Sequence, residues 1–220
     1  MTEAEWLACA DPQRMLEFLR GKASDRKLRL FACECSRRLL GGLVTNFDEY
    51  LGWAELFADG EAGAEDLAAV GPEVAELRDE PAPGWFTGVA RAVACAVRLP
   101  EADPFGVREA TLEVFRYDRA NRGDWEGQQR EAFASQAALL RDLAGPLPFR
   151  PATVAPGWLA PPVADLARRI YVGRAFGRLP ALADELRRAG CRDADVLGHC
   201  RGGGEHARGC WVVDLLLGRA

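Results

Sequence analysis

The residues able to do chemistry gather at the C-terminal end of this sequence. Its only two histidines, His199 and His206, lie in LGHCRGGGEHARGCWVVDLLLGRA, residues 197–220. Cys200 and Cys210 share that stretch, and Cys191 stands just upstream. Thiolate, imidazole and carboxylate are the donors that zinc takes in a tetrahedron. If residues 206–217 form one continuous helix, His206, Cys210 and Asp214 fall at i, i+4 and i+8 on a single face. Cys200 or Cys191 then supplies a further donor, so the ligand set expected for a metal is Cys191, Cys200, His206 and Cys210. The same face admits a thiol nucleophile: His206 would deprotonate Cys210 while Asp214 contributes negative charge, or Cys200 would work with a neighbouring histidine.

A third reading needs no chemistry. Ala207, Trp211, Val212, Leu215 and Leu216 would form the buried side of that helix, leaving positions 206, 210 and 214 as its least apolar edge. No C-x-x-C knuckle, which makes most structural zinc sites recognisable, is present. The order of preference is therefore packing residues first, zinc second and a catalytic thiol third, with no cofactor expected ahead of zinc. Elsewhere the sequence holds no Gly-rich phosphate loop, no G-x-S-x-G and no H-E-x-x-H. The carboxylate pairs Glu61/Glu65 and Asp79/Glu80 read as solvated surface.

The elements that must position these residues read as helices. Thr2 and Glu5 have capping-box spacing. SDRKLRLFACECSRRLL places Leu28, Phe31, Ala32, Cys35 and Leu39 at helical spacing, with Cys33 and Cys35 pointing in different directions as small fillers. NFDEYLGWAELFADG starts at Asn46 as cap and stops at Gly60; GWFTGVARAVACAVRL is apolar nearly all round and reads as a central helix. Asp103 caps a helix with Pro104 in its first turn, and the next helix carries Phe133, Leu140 and Leu143 inward and ends at Gly145. GPLPFRPATVAPGWLAPP holds six of the thirteen prolines and reads as an extended strap pinned by Phe149 and Trp158. Beyond it, Val163, Leu166, Ala167, Ile170 and Tyr171 share a helical face, a helix starting near Pro180 stops at Gly190, and Asp193 caps a short helix carrying His199 and Arg201 near its negative end. Residues 211–217 fit helix or buried strand, and the surroundings favour helix. No period-2 alternation with hairpin turns is visible. The expected fold is all-α: an irregular helical bundle with a Pro-rich extended strap and a C-terminal helical lobe. The expected division is 1–145 for the bundle, 146–162 for the connector packed on it and 163–220 for the lobe, together one compact unit.

Composition narrows the functions. A net charge of −5 opposes general nucleic-acid binding and attachment to anionic membrane surfaces, both of which need a cationic footprint. No run approaches the roughly 18 apolar residues of a spanning helix. The opening MTEAEWLACA lacks the basic-then-apolar pattern of a secretion signal, and seven scattered cysteines suit reduced thiols, so the expected location is the cytoplasm.

The opening MTEAEWLACADPQRMLEFLRGKASDRKLRLFACECSRRL and the closing segment from LARRIYVGRAF onward resemble a helical group of proteins abundant in planctomycete genomes. The pattern A-G-C…H-C-R…H-x-R-G-C-W-V-V-D-x-x-L-G is carried here by Cys191, His199, Cys200, Arg201, His206, Arg208, Cys210, Trp211 and Asp214. The resemblance covers roughly the first 40 and last 60 residues and brings no activity, ligand or catalytic residue with it. The function expected from the whole is a non-enzymatic interaction or scaffold module with a protein partner and a structural C-terminal Cys/His cluster, able to bind zinc. The alternative is a small thiol-dependent enzyme using Cys210 or Cys200.

Overall fold

The protein is all-α. A computed structural model describes residues 1–40, 46–79, 83–98, 100–118, 125–146 and 148–219, and among these every regular element is helical. The chain divides into two compact units, residues 8–137 and residues 1–7 with 138–220, and the division falls inside one helix between Ala137 and Ala138.

The larger unit is built around α6 (Gly84–Val97), the segment whose sequence is apolar nearly all round. Val89, Ala90, Ala92, Val93 and Ala96 are all buried. Against it pack α3 (Asp25–Leu40), α4 (Phe47–Ala58), α5 (Ala64–Asp79) and α7 (Pro104–Asp118), and α2 (Pro12–Leu19) lies against α7. Small residues set the spacing: a Cβ on Gly88 would stand 2.7 Å from Val114 Cγ2 and 3.1 Å from the Ala110 carbonyl, so only glycine allows α7 so near. The fully buried Arg29 of α3 donates to the carbonyls of Ala96 and Arg98 at 2.8 Å and of Pro100 at 3.0 Å. The first two are groups that the end of α6 leaves without helical partners. Asp103 caps α7 as expected, accepting from the Gly106 N–H at 2.9 Å.

Two local expectations are corrected in this unit. Asn46 lies in helical conformation and makes no side-chain cap; its carbonyl accepts the first helical bonds instead. The sequence reading gave no helix to residues 64–79, yet α5 runs through Pro72. Leu67, Val70 and Val74 form a buried stripe at i, i+3 and i+7, and this packing offsets the roughly 3 kcal/mol that an interior proline costs.

The other unit begins with α1 (Glu3–Ala8), closed by the reciprocal capping box: Thr2 N–H donates to Glu5 and Glu5 N–H donates to Thr2 Oγ1. Trp6 is buried and meets Phe149 edge-on, with ring centroids 6.2 Å apart. Phe149 belongs to the Pro-rich segment, which makes a 3₁₀ turn at Pro156–Leu159 and packs Ala152, Val154 and Trp158 against the core. That core is formed by α9 (Pro161–Val172), α10 (Leu179–Arg188), α11 (Ala194–Arg201) and α12 (Trp211–Leu217). The five α9 residues placed on one face by sequence are all buried. The helix/strand ambiguity of 211–217 resolves as helix. A helix continuous over 206–217 does not form: α12 starts at Trp211, and Gly209 at φ +94° takes a conformation outside helical space. His206, Cys210 and Asp214 therefore do not share a helical face. Among the described residues no helix is long and apolar enough to cross a membrane.

Candidate functional site

Four segments of the unit formed by residues 1–7 and 138–220 bring a carboxylate, two imidazoles and a thiol to one point. Asp142 comes from α8 (Trp125–Ala144), whose neighbouring Leu139, Leu140 and Leu143 are buried, so the carboxylate is carried into the interior with them. His199 lies in the last turn of α11, fixed in place by Asp193, which accepts from the N–H groups of Asp195 and Val196. His206 sits in the Gly-rich segment that follows. Cys210 is fully buried and immediately precedes α12, its carbonyl accepting the Asp214 N–H at 2.9 Å.

The contacts are short and convergent. His199 Nε2 lies 3.1 Å from Cys210 Sγ and also 3.1 Å from Asp142 Oδ1. His206 Nδ1 lies 2.6 Å from the same Oδ1. The other carboxylate oxygen accepts the Ala207 N–H at 2.9 Å, which fixes the orientation of Asp142. One ligand atom from each of the four residues lies within 4.8 Å of every other, which makes the group a candidate metal site. The two imidazoles meet edge-on at 4.7 Å, and Trp211 closes over His199 with centroids 5.3 Å apart. Gly145 makes that lid possible: at φ +56° it passes so near the indole that a Cβ would stand 2.4 Å from Trp211 Cγ.

Burial alone would push the Asp142 carboxyl up, but the two histidines facing it outweigh burial and hold it down at about 2. Cys210 moves the other way. Burial first, and then the negative Asp142, raise its thiol well above the ordinary value, an effect that the backbone N–H groups of Val213 and Val212 at the start of α12 only partly oppose. Cys200 is pushed up to about 12 by burial and by nearby negative groups.

Of the residues expected from sequence, the structure brings His206 and Cys210 together and leaves Cys191 and Cys200 outside the group of four. Both of those cysteines are buried in the adjoining core, free of disulfide bonds. Asp214 is buried in α12, and it too is outside the group. Sequence reasoning missed Asp142 altogether and left His199 out of the expected metal-ligand set. The available signal was the lone carboxylate in ALLRDLAG, set on the face that carries Leu139 and Leu143. Comparison of the chain with protein-family models, with curated proteins and with solved structures gives no match, so the site stands on its own geometry.

Proposed function

We propose that the chain is a non-enzymatic interaction or scaffold module whose C-terminal Cys/His cluster locks one of its two units in shape. One observation carries this reading: a single nitrogen, His199 Nε2, faces both the thiol and the carboxylate at 3.1 Å. In a thiol enzyme the imidazole uses one nitrogen toward the nucleophile and the other toward the orienting carboxylate. Here both partners crowd one nitrogen, which is an arrangement for holding groups together and not for relaying a proton. The thiol is also fully buried and its acidity is suppressed, where a reactive cysteine is exposed and acidified. The cluster ties the end of α8 to α11 and to the start of α12, leaving the outer faces of the helices to meet a protein partner.

Native-state alkylation at neutral pH tests the reading, with each labelled cysteine located by peptide mass spectrometry. The expected result is that Cys210 and Cys200 label only after unfolding. If either labels ahead of the half-buried Cys9, a reactive thiol is present and the thiol-enzyme reading takes the place of this one.

A further inference from the structure

We propose that the cluster of Asp142, His199, His206 and Cys210 is a four-coordinate zinc centre, with ligand atoms Oδ1, Nε2, Nδ1 and Sγ. The proposal deepens the locked-cluster reading and rests on it.

Hydrogen bonding alone lets His199 Nε2 serve only one of its two partners at a time. If His199 Nε2 carries a proton directed at Asp142, the Cys210 thiol hydrogen has no acceptor on that nitrogen. If Nε2 carries none, it can accept from the thiol, but its lone pair then confronts a carboxylate oxygen 3.1 Å away. His206 Nδ1 crowds the same oxygen from a second direction. A cation at the centre serves every partner at once, because the four convergent atoms then direct lone pairs at one point.

Size and charge agree. With zinc–nitrogen and zinc–oxygen bonds of about 2.0–2.1 Å and a zinc–sulfur bond of about 2.3 Å, the edges of the tetrahedron are about 3.3–3.6 Å. The contacts of 2.6–3.1 Å and the outer limit of 4.8 Å lie on either side of those edges, so small side-chain shifts seat the ion. Two anionic donors, the carboxylate and a thiolate, neutralise a divalent charge, so the buried centre carries no net charge. The donor set of one sulfur, two nitrogens and one oxygen suits zinc and is foreign to magnesium and calcium, which take oxygen ligands. The Ala207 N–H on the second carboxylate oxygen provides an outer hydrogen bond of the kind that orients metal ligands, leaving Oδ1 for the ion. A cleft bordered by His199, Trp211, Trp6 and Phe149 touches the cluster at His199.

The experiment uses the full chain purified without a histidine tag. Elemental analysis is expected to find one zinc per chain, and chelation to lower the melting temperature and expose Cys210 to alkylation. Replacing zinc with cobalt(II) is expected to give the strong visible bands of a tetrahedral ion and a near-ultraviolet thiolate-to-cobalt band. Cys210→Ser should lose the thiolate band, and Cys200→Ser should keep it. Should Cys210→Ser fail to fold, the cobalt spectra of the parent and of Cys200→Ser decide the matter. Absence of stoichiometric zinc, a melting temperature indifferent to chelator and no thiolate-to-cobalt band would together overturn the proposal. That outcome with Cys210 still unlabelled in the native state leaves the locked cluster standing as a hydrogen-bonded one. Rapid labelling of Cys210 in the zinc-loaded protein instead sinks the locked cluster itself.

Discussion

Gly145→Ala is the sharpest single-atom perturbation that this structure offers. Gly145 ends α8 in left-handed conformation at φ +56°, and its N–H donates to the Arg141 carbonyl at 2.9 Å. An alanine there meets two penalties. Left-handed backbone costs an L-residue about 1–2 kcal/mol. The new methyl would also stand 2.4, 2.6 and 2.7 Å from Trp211 Cγ, Cδ2 and Cδ1, inside any tolerable contact. Trp211 is only 3% exposed and packed among its neighbours, so the clash becomes overpacking at about 1–3 kcal/mol. The sum is about 2–5 kcal/mol.

Gly190→Ala separates the two penalties. Gly190 sits at φ +89°, but a Cβ there meets nothing within 4 Å, so this variant pays only the backbone term of about 1–2 kcal/mol. Urea unfolding followed by far-ultraviolet circular dichroism gives both values, compared at equal m. The expected difference is about 1–3 kcal/mol, the share due to the indole. Equal losses in the two variants would refute the claim that Gly145 and Trp211 are packed face to face, and with it the lid over His199.

Trp211→Ala should cost about 3–5 kcal/mol by denaturant unfolding, because it empties the space over His199 and beside Gly145. Tyr50 donates its hydroxyl to Glu73 at 2.8 Å, and that bond, before burial, raises its pKa. A raised folded value means that its stabilising contribution is whole below the ordinary phenol value of about 10 and is lost as pH rises past the folded one. Tyr50→Phe should therefore flatten the alkaline limb of the stability curve in that range. Cys33, Cys35 and Cys191 are buried and should label only on unfolding, well after the half-buried Cys9; early labelling of any of them would show that the cores of the two units open readily.

Much of the fold was legible because its signals are local. The Asp103 and Asp193 caps, the Gly145 and Gly190 stops and the α9 stripe each involve residues within a few positions of one another, and the structure contains all of them. Helix α5 was not legible, because Gly71-Pro72 signals a break, and only the burial of Leu67, Val70 and Val74 in the surrounding unit overrides it. The candidate site divides in the same way. His206 and Cys210 lie close in sequence and were readable as a pair. Their geometry was not, since Gly209 turns the chain and replaces the helical face by a loop and a helix start. Asp142 belongs to another helix far upstream, and no periodicity links it to the histidines that it meets.

Asp142→Asn tests whether that distant carboxylate organises the cluster. Its oxygens face His206 Nδ1 and His199 Nε2 and accept the Ala207 N–H, and its side chain is only 4% exposed. Hydrogen bonds to a charged group contribute about 1.5–3 kcal/mol each and do not add in full. A second route gives a similar size: lowering the carboxyl from 3.8 to about 2 corresponds to about 2–3 kcal/mol of preference for the ionised form in the folded protein. Asparagine keeps the shape but loses the charge, and its NH₂ replaces one of the acceptor oxygens. The expected loss is therefore at least about 2 kcal/mol, and a bound ion would add to it. Asp184→Asn is the control, since Asp184 pairs with Arg201 at 2.8 Å but its side chain is 57% exposed. An exposed pair of this kind contributes about 0–1 kcal/mol. Both variants are compared by urea unfolding under identical conditions. If Asp142→Asn costs no more than Asp184→Asn, the buried carboxylate does not hold the cluster together, and the convergence of two histidines and a cysteine on it has no energetic consequence.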